Sequence, residues 1–554
     1  MVKRVIASVF VFFVLMLYSV GQEKKTLLAD SVLNARGEIF FSFSSDYFNQ
    51  ELSKILSIKS IGEKVFAYAN KSSFEKFRAL NIDFELQPEN FKATRFKSAT
   101  VSNPDLVYPS YFSYLQILQG FQQKYSAICE LHEMGLTVQG RKLLALKITG
   151  TNSADNYKPA VMLTSSIHGN ELAGYKLALW LIDYLLKNYN SNPQVTNLIN
   201  GSEIWISPLV NPDGTFFGGS ATVAQATRFN SNNLDLNRNF PDPEDGPNPD
   251  KAVRQPETAA IMEFYKSKGI VLSAALHTGD ELVNYPWDTW PKLHADNDWY
   301  RLISRNYVNL VHAKNQLYMT DFENGIVNGF SWYRITGGLQ DYVNYFLNSR
   351  EITVELSKTD APDSVTLVKL WDYNRESLLN FLEQSQYGLL GKITNKENGD
   401  PLKAKIELEN HDKDNSWVYS NNESGIYYRF VAPGNYSLKV SAPGFLPFID
   451  DFSLGFNERK SVNVQLEPNK NLVTVYPNPF RDIINLIFRN TIQSGDEIQL
   501  SLIDLTGKIV FQKMIRNYSG NTFYLEVPYL PDGLYILKLQ SDGFSENFEV
   551  LKIK

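Results

Sequence analysis

The chain has one cysteine, no excess of basic residues and no long apolar run after residue 22, and each shortage excludes a class of protein. Cys129 has no second cysteine to pair with, which excludes both a disulfide-stapled fold and a cysteine-rich zinc site. The formal net charge of −6 gives no reason to expect nucleic-acid binding. Without a second apolar run, we expect no membrane span in the mature protein.

The N-terminus has the pattern of a secretory signal peptide. Lys3 and Arg4 precede an almost wholly apolar run over residues 5–17, and small residues follow up to Gln22. The alternative is a membrane anchor, but the run is shorter than the roughly 20 residues that span a bilayer. The sequence therefore predicts cleavage of residues 1–22 and export.

A chain of 554 residues is too long for one hydrophobic core, and its pattern changes along its length. Residues 23–100 mix short strand-like runs with helical ones and end in a polar, linker-like stretch, which predicts a small α+β unit. Residues 108–385 alternate strands with helices, which predicts an α/β domain with a mixed sheet covered by helices on both faces. Residues 388–467 and 473–554 alternate short strands with turns, which predicts two small all-β sandwich domains.

Two residues at the end of a predicted strand suit a metal ion. His168 and Glu171 follow the apolar run 160–167 and precede a predicted helix over residues 172–187. Imidazole and carboxylate are ordinary zinc ligands, and catalytic zinc takes three protein ligands and a water. The alternative is a plain capped helix start, and the pair alone does not decide between them.

The third ligand is sought among the other histidines. His277 directly follows the apolar strand predicted over residues 270–276, so it ends a strand as His168 does. The remaining histidines of the helical and loop regions have no comparable placement and are interpreted as structural; they are His132, His294, His312 and His411. His168, Glu171 and His277 would leave a fourth zinc position open.

Two further segments supply charged groups. Arg228 and Arg238 stand among amides in a loop, where guanidinium groups can bind a carboxylate or a developing oxyanion, although a solvated loop is an equal alternative. Glu355 alternates with apolar residues on the predicted strand 351–356. A buried glutamate is costly unless it is paired or functional, so Glu355 is a candidate general base.

Taken together, these motifs resemble the zinc metallocarboxypeptidases, in particular the branch with a transthyretin-like domain after the catalytic domain. The likeness covers residues 108–385. Its motifs occur in the family's order: Gly140-Arg141, His168-Gly-Asn-Glu171, Asn211-Pro-Asp-Gly214, Asp235-Leu-Asn-Arg-Asn-Phe240, His277 and Glu351-Ile-Thr-Val-Glu-Leu-Ser357.

The resemblance implies a role for each matching residue, and the roles are as follows. One Zn²⁺ is bound by His168, Glu171 and His277, Asp235 orients His168, Asn237 and Arg238 hold the substrate's terminal carboxylate, Arg228 polarises the scissile carbonyl, and Glu355 is the general base and then acid. The implied reaction is hydrolysis of the last peptide bond of a peptide or protein.

The substrate-binding tyrosine of the family is harder to assign. The family pattern is read as a tyrosine after a Gly-Gly-x-Gln-Asp motif, and Gly337–Asp341 is such a motif. The following residues are shifted by one relative to that pattern. Tyr345 is the better candidate and Tyr342 is the other.

The flanking segments have likenesses of their own. Residues 388–467 resemble the transthyretin-like regulatory domain, which implies a folding or docking role. Residues 473–554 resemble the C-terminal sorting domain of type IX secretion cargo, through Tyr476–Phe480 and Gly533–Lys538. This implies contact with the secretion machinery, a secreted or cell-surface location and possible removal of the tail. Residues 23–100 are a candidate propeptide without a clear cleavage site.

Three functions compete at this point. The leading one is an exported zinc carboxypeptidase that acts on peptide or protein C-termini. The second keeps the metal site but acts on peptidoglycan stem peptides or acyl-amino acids. The third is a non-catalytic surface binding protein, and the presence of all three metal ligands and of Glu355 argues against it.

Overall fold

The structure is a computed structural model that describes residues 25–88, 108–151, 158–443, 445–468, 473–492, 497–516, 520–541 and 545–554. Within these ranges no helix has both the length and the apolar character that a membrane crossing requires. The signal peptide predicted over residues 1–22 and the whole linker-like stretch lie outside the described residues.

The N-terminal unit is a four-stranded antiparallel sheet with helices against one face. Its strands are β1 (Glu38–Ser44), β2 (Ser57–Ile61), β3 (Lys64–Asn70) and β4 (Glu85–Leu86), and its helices are α1 (25–36), α2 (Gln50–Ile55) and α3 (Lys71–Arg78). The spatial order is β2-β3-β1-β4, so β2 is an edge strand that pairs with β3 alone in this sheet. The unit has its own core, built on Phe41, Phe74 and Phe77.

The central domain is an eight-stranded mixed sheet in the order β11-β10-β12-β9-β7-β8-β6-β5. Its strands are β5 (Cys129–Leu136), β6 (Lys142–Ile148), β7 (Ala160–Ser165), β8 (Glu203–Ser207), β9 (Ile270–His277), β10 (Glu281–Tyr285), β11 (Ile326–Asn328) and β12 (Arg350–Leu356). Its helices and short helical turns are α4 (Tyr111–Lys124), α5 (Ala173–Asn188), α6 (Pro193–Gly201), α7 (Pro212–Thr215), α8 (Pro256–Lys268), α9 (Asn297–His312), α10 (Asp321–Asn324), α11 (Gly329–Trp332), α12 (Leu339–Phe346) and α13 (Ser364–Glu383).

Both faces of this sheet are buried, as a strand with alternating side chains requires when helices cover each side. Along β7, Val161 and Leu163 belong to the larger core, which includes α5, α9 and α13, whereas Ala160 and Met162 belong to the core under α8 and α12. The neighbouring strands β8, β7, β9 and β12 are parallel, so their carboxyl ends meet at one edge. Loops from this edge are where a site is expected in such a fold.

Two β-sandwich domains follow. The strands of the first are β13 (Gly388–Asn395), β14 (Lys405–Leu408), β15 (Val418–Tyr419), β16 (Ile426–Arg429), β17 (Gly434–Ser441), β18 (Phe448–Leu454), β19 (Arg459–Ser461) and β20 (Val464–Leu466). Those of the second are β21 (Val473–Tyr476), β22 (Ile483–Ile492), β23 (Ile498–Ile503), β24 (Ile509–Ile515), β25 (Gly520–Glu526), β26 (Gly533–Gln540) and β27 (Ser545–Lys552). Each sandwich packs two sheets around a separate hydrophobic core.

A buried charged cluster, here called the interdomain cluster, joins the first sandwich to the central domain. Asp296, at the start of α9, lies 2.7 Å from Nη2 of Arg350 and 2.8 Å from Nη2 of Arg429. Arg429 belongs to the sandwich and also pairs with Asp412, and His411 Nε2 lies 2.9 Å from Asp296. Since these groups neutralise each other away from water, the first sandwich is part of the packed body of the central domain.

The predicted fold class is confirmed, with the central sheet mixed and covered on both faces. Strand and helix ends differ from the predicted ones by a residue or two, as at β12, which begins at Arg350 instead of residue 351. One assignment is wrong in kind: His132 lies on strand β5, where the sequence interpretation placed it in a helix or loop.

Candidate active site

The three predicted metal ligands come together at the carboxyl edge of the sheet. His168 follows β7, His277 ends the adjacent parallel strand β9, and Glu171 precedes α5. Glu171 Oε1 lies 2.8 Å from His168 Nδ1, and Oε2 lies 2.9 Å from His277 Nδ1. The ligand atoms of all three buried residues lie within 4.8 Å of one another. Two imidazole nitrogens and a carboxylate at such separations fit the donor set of a catalytic zinc ion.

The loop that carries His168 and Glu171 is held in shape by short contacts. Ser166, with φ 53°, turns the chain out of β7, and its hydroxyl donates to the backbone oxygen of Glu171 at 2.7 Å. A Cβ atom at Gly169 would lie 2.4 Å from the backbone of Gly214, so the glycine allows the turn at residues 211–214 to pack against the loop. The motif between the two ligands is thus explained by packing.

Asp235 is placed to orient His168. Its Oδ1 atom lies 3.0 Å from His168 Nε2 and also accepts the backbone N–H of Asn237 at 2.9 Å. A carboxylate on the outer nitrogen of a ligating histidine fixes the ring and makes it a better ligand.

The two arginines predicted from the sequence both reach the cleft. Arg228 is buried and donates to Glu171 Oε1 at 2.7 Å. Arg238 lines the cavity beside Asn237, and its Nε atom is buried without a hydrogen-bond partner in the part of the chain that the structure describes. The Asn237 side chain accepts the N–H of Leu339 through Oδ1, at 2.9 Å.

Glu355 lies next to the metal ligands because of strand register. On β12 it pairs with His277 of the parallel strand β9. Burial, and then the charge of Glu171, raise the pKa of Glu355 well above its usual range. Its Oε2 atom is buried, and no described residue offers it a hydrogen bond. A carboxyl group with a free oxygen beside a metal site is suited to exchange a proton with a water or a substrate.

The structure places a different tyrosine in the cleft from the two expected ones. Tyr345 packs against Trp287 and Trp290, and Tyr342 packs against Phe240; neither belongs to the set of residues that lines the cavity. Tyr333, in the segment between α11 and α12, does line it. The Gly337–Asp341 motif follows this tyrosine along the chain, whereas Tyr342 and Tyr345 come after the motif.

A further acidic group, which the sequence interpretation missed, lies in the cleft wall. Asp288 accepts the side-chain amides of Asn284 at 3.1 Å and Gln340 at 2.9 Å; these three residues form the acidic pocket. Burial raises the pKa of Asp288 to about 7. A Cβ atom at Gly329 would lie 1.7 Å from Asp288 Oδ1, so the glycine provides room for this carboxylate. The sequence feature that could have indicated this residue is a carboxylate between two tryptophans, Trp287 and Trp290, directly after β10.

The N-terminal unit covers the cleft with its edge strand β2. Ile58 and Lys59 line the cavity together with the metal ligands. The Ser57 hydroxyl contacts Asp235 and accepts from Arg228 Nε at 2.6 Å. Tyr333 donates to the backbone oxygen of Ile58 at 3.4 Å. The unit therefore occupies the mouth of the site through polar contacts as well as packing.

Comparison with known proteins agrees with this geometry. A family model described as zinc carboxypeptidase matches residues 114–377, and one described as a secretion system C-terminal sorting domain matches residues 474–551. Mouse carboxypeptidase M is 35% identical over 342 residues, which are 59% of this chain and 76% of that protein. Rat carboxypeptidase D is 32% identical over 431 residues, 70% of this chain but only 30% of that longer protein.

The central domain also shares its fold with a solved structure, carboxypeptidase A from Helicoverpa armigera, at a TM-score of 0.50 and 19% identity over 63% of this chain and 98% of that one. The chain belongs to the zinc carboxypeptidase family. It is a peptidase of that family and carries a C-terminal sorting domain of a secretion system, which indicates secretion or a cell-surface location.

Proposed function

We propose that the protein is an exported, zinc-dependent carboxypeptidase that removes single basic residues from the C-termini of peptides or proteins. The carrying observation is the convergence of three metal ligands and a glutamate with an unpaired oxygen at one edge of the sheet. When bound by His168, Glu171 and His277, zinc polarises a carbonyl group and acidifies water. The sorting domain supports export.

The residues around the metal position have distinct roles in this proposal. Glu355 accepts a proton from the attacking water and delivers it to the leaving amine, since it lines the cavity and its Oε2 atom has no hydrogen-bond partner among the described residues. Asn237 and Arg238 bind the terminal carboxylate of the substrate, which restricts attack to the last peptide bond. Arg228 stabilises the oxyanion, and Tyr333 binds the substrate backbone in the way it now binds the carbonyl of Ile58.

The preference for a basic residue rests on the acidic pocket. Asn284 and Gln340 each donate their amide to Asp288, which leaves the Oδ1 atom of Asn284 and the Oε1 atom of Gln340 buried and unpaired within the described residues. A carboxylate and two amide oxygens are acceptors only, so a lysine or arginine side chain would satisfy all of them. An apolar side chain would leave them unpaired and would be rejected.

The N-terminal unit supports an inactive state of the full chain. β2 stands in the cleft mouth, and Glu38 fixes the unit by accepting the backbone N–H groups of Arg228 and Phe229, both at 3.0 Å. A substrate needs the same groups, among them Arg228 Nε and the Tyr333 hydroxyl. We therefore propose that residues 23–100 act as a propeptide whose displacement opens the site.

The test uses a chain with a specific protease sequence inserted between residues 88 and 108. Peptides that differ only in a C-terminal Arg, Lys, Leu or Glu are followed before and after cleavage, with and without a chelator. We expect release of Arg and Lys after cleavage, little activity before it, and loss with the chelator. A C-terminally amidated peptide is the matched control. Hydrolysis that survives chelation, or an equal rate on the amide, would contradict the proposal.

A further inference from the structure

A buried ion pair joins the N-terminal unit to the loop after β12, beside the metal ligands. The Lys59 ammonium of β2 donates to the Asp360 carboxylate, and the two side chains are 5% and 4% exposed. Asp360 follows β12 in the loop that precedes α13. Burying two charges is costly unless they are paired, so removal of the lysine would leave the buried carboxylate in need of another cation.

The remaining surroundings of Asp360 are neutral. Its oxygens accept the Thr278 hydroxyl at 3.2 Å and the Asn170 amide at 3.3 Å, and the Tyr68 hydroxyl lies 3.5 Å away. Tyr68 and Lys59 both belong to the N-terminal unit. Among the partners that the described residues give to Asp360, Lys59 is the sole cation. Once the unit is displaced, the carboxylate keeps two neutral donors and no cationic side chain among the contacts that the described residues give it.

The position of Asp360 relative to the reacting groups indicates which part of a substrate meets it. Asn170 and Thr278 each adjoin a metal ligand in sequence, and the Thr278 N–H donates to Glu171 at 3.1 Å. None of the contacts of Asp360 in the described chain is with the acidic pocket, which receives the last residue in our proposal. A substrate whose last residue occupies the acidic pocket would therefore meet Asp360 with residues that precede the scissile bond.

The backbone at Lys59 follows the path that such a substrate would take. A Cβ atom at Gly279 would lie 3.3 Å from the Lys59 carbonyl oxygen and 3.8 Å from Glu355 Oε2, so β2 passes directly beside the proposed base. β2 is extended and pairs on one side only, as a bound peptide would be. The Lys59 side chain extends from this part of β2 and pairs with Asp360.

We propose that Asp360 is a specificity-determining residue that selects substrates with a lysine or arginine shortly before the scissile bond, and that Lys59 fills this subsite in the full chain. The inference rests on the proposed function and deepens it. The favoured substrates would then carry paired basic residues, one at the C-terminus and one upstream. Close charge pairs across an interface give preferences of about ten-fold or more.

The test uses the same protease-cleavable chain and peptides that all end in Arg. The residue immediately before the scissile bond is Lys, Met or Glu, and a second series varies the next residue upstream. We expect kcat/KM to be about ten-fold higher for Lys than for Met in one series, and lowest for Glu. Asp360→Asn is expected to equalise Lys and Met. Asp363→Asn is the matched control, since asparagine caps α13 as aspartate does and the preference should persist.

The variant Lys59→Met separates substrate selection from docking of the unit. After cleavage it should keep the preference for an upstream lysine, whereas before cleavage it should raise the residual activity because the covering strand is held less firmly. Equal rates for Lys and Met in both series, with release of Arg intact, would overturn the inference and leave the proposed function standing.

If no peptide is hydrolysed after cleavage, the proposed function fails, and binding decides the inference separately. The cleaved Glu355→Gln variant is titrated by calorimetry with Gly-Lys-Arg and Gly-Met-Arg, and then with Lys-Gly-Arg and Met-Gly-Arg. Tighter binding of the lysine peptide in one pair, lost in the additional Asp360→Asn variant, supports the role of Asp360. Equal affinities within both pairs overturn it.

Discussion

The active site and the interdomain cluster are built from the same residue types but differ in charge balance. Each brings three His, Asp or Glu ligand atoms within 4.8 Å of one another. In the interdomain cluster, Asp296 and Asp412 face two guanidinium groups, those of Arg350 and Arg429.

In the active site, the carboxyl groups of Glu171, Asp235 and Glu355 lie around His168 and His277 with Arg228 in contact. The acidic groups outnumber the arginines here, so a divalent cation would balance their charge. The negative charge of Glu171 also contributes, after burial, to the raised pKa of Glu355. The two clusters have the same types of ligand atom, so the number of neighbouring cationic side chains distinguishes a candidate metal centre from a cluster that only joins two domains.

The largest expected effect tests the proposed base. Glu355→Gln should lower kcat by about 10²–10⁴-fold, because no carboxylate remains to move the proton. The matched control is Glu351→Gln on the same strand. Burial raises the pKa of Glu351 to about 8, so it is neutral near pH 7, and an amide can still accept from Ser273. Rates are measured on an Arg-terminated peptide after cleavage of the chain; equal losses in both variants would remove Glu355 from its role.

The balance of the interdomain cluster predicts a loss of stability without a loss of metal. Asp296→Ala leaves Arg350 and Arg429 buried without their shared counter-charge and should lower the free energy of unfolding by about 3–5 kcal/mol. Denaturant unfolding measures this. Asp298→Ala, in the first turn of the same helix, is the control and should change little. A loss below about 1 kcal/mol for Asp296→Ala would contradict a stabilising role of the interdomain cluster.

Metal affinity should respond at one cluster only. Asp235→Asn weakens the hold on the His168 ring and should lower zinc affinity by about 10–100-fold. Asp412→Asn changes the same kind of group in the interdomain cluster and should leave the zinc content of the protein at one ion. Competition with a chelator of known affinity gives both values, and a drop for Asp412→Asn would show that the second cluster also binds metal.

The smallest expected effect is a pH dependence of recognition at the acidic pocket. The carboxyl of Asp288 has a pKa raised to about 7 by burial, with Arg238, Asp242 and Asp341 as its charged neighbours. It is neutral below that pH and ionised above it, so affinity for a guanidinium is present above pH 7 and lost as the pH falls. Inhibition by free arginine should strengthen up to about ten-fold from pH 6 to pH 8.

Norleucine is the matched inhibitor for this test, because groups that bind the carboxylate and amine affect both compounds equally. The ratio of the two inhibition constants should depend on pH in the parent chain and should be flat in Asp288→Asn. A ratio that does not change with pH in the parent chain would exclude the ionisation of Asp288 as the cause.

The sequence was sufficient to predict which candidate residues the parallel strands bring together. His168 and His277 follow from apolar runs that end in a polar residue, Glu355 follows from its alternation with apolar residues, and parallel strands bring the three together. It was insufficient where a contact joins distant segments. The contact of Lys59 with Asp360 spans 301 positions, and no periodicity in either segment indicates the other.

Two further misses have physical reasons. Tyr333 lies in an irregular segment, where the distance along the chain to a motif does not determine the direction of a side chain. For that reason the sequence pointed to Tyr345, which does not line the cavity, and not to Tyr333, which does. His411 and Asp296 have no pattern in common, yet packing of the first sandwich on the central domain brings them to 2.9 Å.

Strand β12 carries Arg350 at its first residue and Glu355 near its last. Extended chain rises about 3.3 Å per residue, so one stiff segment of roughly 17 Å joins the interdomain cluster to the proposed base. Shortened versions of the protein for crystallisation or industrial use should therefore end between residues 468 and 473, where the second sandwich begins with a core of its own. A boundary at residue 387 would remove Arg429, leave Asp296 with Arg350 alone, and is expected to disturb the strand that also carries Glu355.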